Sequence, residues 1–212
     1  MDRFRSQECR QTLEAGEVTI KSFCSPEEIR QYDFSSRFGS HANYRSLYIH
    51  RHSLEINAAQ SDANVTLALA DRQLIVGFGV LTYPEPDERW AQLHPRIMME
   101  VKAIEVSSKW RSQGLAKNIL GLLIEHPMAE EKIAYMVGYS WTWDLDGSKK
   151  TAQQYRRMLI RLFEPVGFKE YQTNEPNICL KPENLFMGRV GKNVSTDVQN
   201  DFNWLRFGIG PG

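Results

Sequence analysis

The sequence predicts an α/β or α+β domain built on a mixed sheet, and three observations carry that expectation. Apolar runs alternate between strand-like and helix-like periods in the order strand, helices, antiparallel strands, strand–turn–helix, strand, helix, strands. A branched, apolar run over residues 97–106 turns through a glycine-containing segment directly into an apolar helix pattern over 117–125. Ser25-Pro26-Glu27-Glu28 is a strong helix start, with a serine N-cap, proline at the first helical position and acids in the first turn.

The elements are justified in chain order. Residues 17–23 alternate well enough for a first strand. The Ser25 start opens a helix, and 45–58 reads as a second helix with Leu47, Tyr48, Leu54 and Ala58 on its apolar side; His50 and His52 fall within it. Residues 64–70 and 73–83 are strands joined at Asp71-Arg72, a hairpin. Pro84-Glu85-Pro86-Asp87 stops the second of them, and 84–97 is a loop carrying Arg89, Trp90 and His94. Residues 98–107 form the next strand; the glycine turn follows, then a helix that ends before Pro127, then a strand over 132–140.

Trp141-Thr142-Trp143-Asp144-Leu145-Asp146-Gly147 is an aromatic, acidic loop. A helix over 151–163 is closed by Pro165 and Gly167, and 168–172 and 184–190 are short strands. Residues 195–207 read as a C-terminal helix with Ser195 as N-cap. The expectation is one domain over 1–212, with a core over 17–190 and an extension over 191–212. Residues 176–182 are the weakest-patterned segment, where a boundary would fall if there were one.

Composition narrows the function. Formal net charge is zero, so partners are recognised locally and not through a global field for nucleic acid or membrane. The three cysteines, Cys9, Cys24 and Cys179, lack disulfide or zinc spacing, and the histidines pair with no other ligand type at metal spacing. No metal is expected, and a reducing cytoplasm suits the chain. The first residues are too polar for a signal peptide, and the longest apolar runs are too short to span a bilayer.

The turn itself is Arg111-Ser112-Gln113-Gly114-Leu115-Ala116-Lys117. A strand that passes through glycine and alanine into a helix presents bare N–H groups at a positive helix end, a fit for phosphate. A Walker-type loop needs G-x-x-x-x-G-K-[ST], and Gly114 has no upstream glycine while Asn118 follows Lys117. A dinucleotide fingerprint, G-x-G-x-x-G, is absent. Arg111, Gly114 and Ala116 match [RQ]-x-x-G-x-[GA], the pyrophosphate loop of the GCN5-related N-acetyltransferases (GNAT).

Wider context extends this resemblance. Ile104-x-Val106 followed by Arg111-x-x-Gly114-x-Ala116, and the later Phe163-Glu164-Pro165-Val166-Gly167-Phe168, resemble the superfamily's spacing. Nearly the whole chain resembles one branch, the acetoin-utilization acetyltransferases. The stretches that carry this are Glu88-Arg89-Trp90, Ala103-Ile104-Glu105-Val106, Trp143-Asp144-Leu145, Tyr155-Arg156-Arg157-Met158, Arg189-Val190-Gly191-Lys192 and Leu205-Arg206-Phe207. The resemblance implies a GNAT fold, with a mixed, mostly antiparallel sheet flanked by helices and a C-terminal strand–helix extension. It also implies acetyl-CoA as co-substrate and protein lysine acetylation with acetyl-CoA synthetase as target, in the cytoplasm, with homodimerisation left open.

Site expectations follow from that resemblance and from chemistry. Backbone amides of Gln113, Gly114, Leu115 and Ala116 face the pyrophosphate, Ser112 belongs to the same cofactor-binding loop, Arg111 and Lys117 add charge, and a solvated surface role is open for Lys117. Backbone groups at Ile104 and Val106 pair with the pantetheine arm while both side chains pack in the core. Acetylation needs a neutral amine, hence a base. Glu100, eleven positions before Arg111, matches the general-base glutamate of the histone-acetyltransferase branch. It lies roughly 20 Å from Val106 at about 3.3 Å per residue, close to the reach of pantetheine.

An exposed Glu100 paired with Lys102 is the alternative, and Glu105 is a competing base. The superfamily's usual general-acid tyrosine is replaced here by Phe163; Tyr139 is the substitute, or water serves. Trp141, Trp143 and Asp144 are candidates to hold a lysine stem and its cation. The alternative is a buried aromatic corner with Asp144 or Asp146 capping the loop. Arg89 and Trp90 are candidates for the substrate rim. Two other functions stay open: a small-amine acetyltransferase on the same scaffold, and an acyl-CoA sensor without catalysis.

Overall fold

The computed structural model describes residues 4–39, 48–93 and 96–210. The beginning of the expected second helix (45–47), His41 and His94 lie outside these residues. The chain divides into two units. The first comprises Met1–Thr82, Lys102–His126 and Asp144–Lys149; the second comprises Tyr83–Val101, Pro127–Trp143 and Lys150–Gly212.

In the first unit, strands β1 (Glu8–Leu13), β2 (Gly16–Lys21), β4 (Asn64–Ala70) and β5 (Leu74–Thr82) pair antiparallel in that order. The two-residue β3 (Asp33–Phe34) lies parallel to β5. The last residues of β6 (Met98–Val106) also belong here. Both faces of this sheet are covered, so β4 is buried throughout and reads as a near-continuous apolar run. Its period of two still sorts side chains: Val65, Leu67 and Leu69 join one core with Ile29 and Leu54, and Ala68 and Ala70 join another with Leu115 and Ile119.

The first of those cores is roofed by α1 (Pro26–Gln31) and α2 (Arg51–Ala58). α1 starts where the sequence places it: Ser25 accepts from the Glu28 N–H, and the Glu28 carboxylate accepts from the Ser25 N–H. A capping box of this kind stabilises a helix by about 1 kcal/mol. The helix α2 begins only at Arg51, with His50 as its N-cap.

The second core is roofed by α3 (Leu115–Ile124), which sits close to β5 because that strand offers glycines. A Cβ on Gly79 would lie 2.8 Å from Ile119 Cγ2 and 3.1 Å from Leu123 Cδ2. The far end of α3 is held by Asn64, fully buried, whose amide donates to the carbonyls of Leu122 and Leu123 at 3.2 and 3.1 Å. Those are carbonyls a helix end leaves without intrahelical partners.

In the second unit the first residues of β6 pair parallel with β7 (Ile133–Gly138). β7 pairs antiparallel with β9 (Leu185–Val190), and β9 with β8 (Lys169–Glu170). Its core gathers Trp90, Leu93, Met98, Ile133, Tyr135, Phe186, Phe202 and Leu205. The last two come from α7 (Thr196–Leu205), capped by Ser195 as expected, so the C-terminal helix is part of this core. α5 (Ala152–Phe163) opens with a Thr151–Gln154 capping box. With ladders predominantly antiparallel and helices packed on the strands, the fold is the mixed, GNAT-like α/β architecture.

Three expectations are corrected in detail. β1 was not anticipated, because Glu8-Cys9-Arg10-Gln11 is polar and half of an exposed edge hairpin. The strand at 168–172 shrinks to Lys169–Glu170. The poorly patterned 176–182 contains a one-turn helix, α6 (Pro176–Cys179), within the second unit, and no boundary falls there.

Candidate functional site

Loop geometry comes first, and all of it belongs to the first unit. After Val106 the chain makes a 3-10 turn over Ser108–Trp110, with Trp110 buried in the core under α3. Arg111 is extended, Ser112 takes φ +63° and Gly114 takes φ +80°, and α3 starts at the next residue. Two left-handed residues in three steps turn a strand exit into a helix entry; only glycine does this without strain.

Arg111 fixes the loop's entry. Its Nε donates to the Val106 carbonyl at 2.8 Å, and its Nη1 pairs with the Asp144 carboxylate. Asp144 is 3% exposed, and its other oxygen accepts from the Gly147 N–H at 2.9 Å, capping the one-turn helix α4 (Leu145–Ser148). Gln113 pins the middle: its Oε1 accepts from the Ala15 N–H at 3.1 Å, and its Nε2 donates to the Lys109 carbonyl at 3.2 Å. On α3, Asn118 donates to Gln11 Oε1 at 2.6 Å.

With its side chains held this way, the loop presents backbone. Gly114 is the N-cap of α3 and supplies no side-chain cap, and a Cβ built on it meets nothing within 4 Å. The N–H groups of Leu115 and Ala116 open the helix and have no intrahelical acceptor by geometry. Ser112, Gly114 and Lys117 are exposed. A ten-residue helix with a bare, fixed N-terminus is suited to an anion such as pyrophosphate. Upstream on β6, Val106 is buried in the second core and Ile104 packs against it, so both side chains serve packing.

The second unit holds a different chemistry. Glu100 is the parallel-ladder partner of Tyr135, and the β6–β7 ladder ends at that pair. The Tyr135 ring is fully buried between Trp90 and Phe186, with centroids at 5.5 and 5.7 Å, and its hydroxyl donates to Glu88 Oε2 at 3.3 Å. Burial first, then the Glu100 and Glu88 charges and the Glu88 hydrogen bond, hold the Tyr135 hydroxyl well above the usual phenol range. Tyr139 is affected in the same sense: burial, then Glu175, Glu100 and Glu88, push it up to about 12. Glu175 Oε2 is buried without a hydrogen-bond partner in the structure. So Glu88 and Glu100 act on both phenols, and Glu175 acts on Tyr139.

Against this geometry the chain was compared with known proteins. No family model matches it. It is 33% identical over 194 residues to the acetoin utilization protein AcuA of Bacillus licheniformis, covering 92% of this chain and 90% of that one. It is 30% identical over 192 residues to AcuA of Bacillus subtilis, covering 91% and 90%. The chain belongs to the AcuA family. Among solved structures, the acetoin utilization protein from Exiguobacterium sibiricum superposes with a TM-score of 0.85 at 25% identity, over 97% of both chains. The loop from Arg111 to Ala116 is the segment whose spacing carries the GNAT resemblance in the sequence.

Several of the stretches that carry the AcuA resemblance have structural partners within the protein. Arg89 donates to Asn174 Oδ1 at 2.6 Å and to the Arg206 carbonyl at 3.1 Å, tying its turn to the C-terminal segment. Trp90, 5% exposed, stacks on Phe186 at 4.3 Å and is core, with one side on a cavity of about 450 Å³ shared with Tyr83, Pro84, Arg96 and Met98. Trp143, 7% exposed, stacks on Tyr155 at 5.0 Å. Asp144 is committed to Arg111 and to capping. Of the two tryptophans in the aromatic loop, Trp141 is the open one, 43% exposed, stacked on Tyr139 at 4.7 Å, with Lys181 Nζ 4.8 Å from its ring.

Phe163 is buried against Phe168 in an edge-on contact, so no hydroxyl stands at the superfamily's usual acid position. Among the described residues no group of three or more His, Cys, Asp or Glu is arranged to hold a metal ion. Among them no helix is long and apolar enough to cross a membrane. Glu88 and Glu175 were missed by sequence reasoning. The only signal was the position of Glu88 in the Glu88-Arg89-Trp90 stretch.

Proposed function

We propose that this AcuA-family protein is an acetyl-CoA-dependent protein lysine N-acetyltransferase of the cytoplasm, acting on acetyl-CoA synthetase. The observation that carries the reading is the loop from Arg111 to Ala116, held at both ends and presenting unhindered backbone at the α3 N-terminus. Pyrophosphate takes the N–H groups there, with Lys117 adding charge from the exposed side. Pantetheine lies along β6 beside Ile104 and Val106. The thioester then comes near Glu100, roughly 20 Å back along the strand.

In the reaction the acceptor ammonium gives one proton to Glu100, directly or through a water. The free amine forms a bond to the acetyl carbonyl carbon, the C–S bond breaks, and CoA leaves as thiolate. The second proton lost on forming the amide ends on that thiolate. Tyr139, whose hydroxyl keeps its proton across the neutral range, is a constant hydrogen-bond donor at this end and a poor proton source. Trp141, as the open aromatic beside it, is the wall against which the lysine stem lies.

Glu100→Gln is the test. It should lower the acetyl-transfer rate by about 10²-fold or more and abolish the rise of rate with pH, with acetyl-CoA affinity within twofold of wild type. An unchanged rate and pH profile would remove Glu100 from the mechanism.

A further inference from the structure

The Glu88-Arg89-Trp90 stretch marks the family, and two of its members are spent on packing. Arg89 holds Asn174 and the Arg206 carbonyl, and Trp90 fills the core. Glu88 has neither task. It precedes the 3-10 turn Arg89–Gln92, yet its side chain makes no cap hydrogen bond. Its Oε2 instead accepts from the hydroxyl of buried Tyr135, and its Oε1 accepts from the Glu85 N–H at 3.4 Å.

Tyr135 is also the direct cross-strand neighbour of Glu100. Neighbours in a ladder project on one face, so Glu100 shares the face of Tyr135, and the phenol feels the charges of both Glu100 and Glu88. A phenol has one proton to give. With that proton directed at Glu88, the side of the hydroxyl left for Glu100 is a lone pair. A carboxylate that meets a lone pair and a second negative charge binds its proton more tightly than one that meets a donor.

We propose that Glu88 is a positioning residue for acetyl transfer: by holding the Tyr135 proton away from Glu100, it keeps Glu100 a strong enough base to deprotonate the acceptor. This rests on the reading of Glu100 as base. The titratable groups of the second unit that share this cluster are Tyr135 and Tyr139 on β7 and its end, Glu88 before the 3-10 turn and Glu175 at the N-cap of α6; Lys102 follows Glu100 by two positions in the sequence. Both phenols respond to the Glu88 and Glu100 charges, so the two carboxylates act over the same short range.

The experiment follows the Glu100 carboxyl directly, by ¹³C NMR titration of glutamate-labelled protein, assigned with Glu100→Gln. In Glu88→Gln the Glu100 midpoint should fall by about 0.5–1 pH unit, and the acidic limb of the transfer rate should move with it. Glu88→Asp keeps the charge but withdraws it from the hydroxyl, and should give a smaller shift in the same direction. It also serves as the test if the glutamine variant does not fold. A midpoint that stays put or rises in these variants overturns the role of Glu88. If Glu100→Gln retains the wild-type rate and limb, it is the base reading that fails, and the Glu88 role falls with it. A Glu100-dependent limb beside an unmoved midpoint sinks the Glu88 role alone.

Discussion

Arg111 donates its Nε–H to the Val106 carbonyl at 2.8 Å, closing the strand exit onto the start of the loop. Sequence resemblance casts Arg111 as a charge for the pyrophosphate. The structure gives it a mechanical task as well, because its other end meets the nearly buried carboxylate of Asp144. The loop's entry is therefore held by the protein's own contacts, which lowers the ordering cost of a ligand that binds there.

Removing Arg111 should be costly twice over. Arg111→Ala leaves Asp144 without its cation and should lower stability by about 3 kcal/mol, the low end of the cost of breaking a buried pair, because the Arg111 side chain is 26% exposed. It should also weaken acetyl-CoA binding by about tenfold, because the entry to the loop is no longer fixed. Denaturant unfolding and calorimetry read the two effects separately; equal stability to wild type would mean that the contact is ornamental.

Gly114 makes the opposite prediction. Nothing lies within 4 Å of where its Cβ would go, so the side chain introduced by Gly114→Trp starts into open space, and the left-handed backbone costs about 1 kcal/mol. The indole would occupy the space assigned to pyrophosphate. A folded variant that no longer binds acetyl-CoA by calorimetry is expected, and unchanged affinity would put the cofactor elsewhere.

Gly191, in the Arg189-Val190-Gly191-Lys192 stretch, is a structural counterpart. A Cβ there would strike the backbone carbonyls of Glu130 and Ala129, which cannot yield as a side-chain tip can. Gly191→Ala should destabilise the protein by about 2–3 kcal/mol, as overpacking does, with a matching fall in the urea midpoint. A normal midpoint would show that the 129–130 segment moves freely.

Alkaline titration probes the acid–phenol cluster. Tyr139 takes its proton up to about 12, above the ordinary phenol value near 10. Between those two pH values the unfolded chain has lost this proton and the folded one keeps it, so stability should fall as pH rises from about 10 to 12. Absorbance of phenolate should show late-titrating tyrosines, with one fewer in Tyr139→Phe. If all phenols titrate together near 10, neither burial nor the carboxylates hold the Tyr139 proton.

Much of the frame was legible because local pattern and tertiary fate agree. The strand–turn–helix from Met98 to Ile124 combines branched apolar residues, a left-handed glycine and an amphipathic run, and nothing elsewhere in the chain competes with it. The Ser25 and Ser195 starts are local signals with local causes. β1 was invisible because an edge strand exposed on both faces has no reason to alternate. The residues with two readings share another cause. A tryptophan or an acid in a loop reads equally as a rim or as a corner, and the partners that Trp90, Trp143 and Asp144 take lie 96, 12 and 33 residues away: Phe186, Tyr155 and Arg111. Glu88 lies 47 positions before the Tyr135 it holds, beyond any spacing argument.

The central claim is acetyl transfer to a protein lysine, and one measurement meets it directly. Purified protein is incubated with acetyl-CoA and acetyl-CoA synthetase, and the synthetase is mapped by mass spectrometry for acetyl-lysine. The account predicts acetylation at a defined lysine that is lost with Gly114→Trp and with Glu100→Gln. Brisk CoA release with polyamines or amino acids but an unmodified synthetase, or tight acetyl-CoA binding with no turnover on any amine, would contradict it.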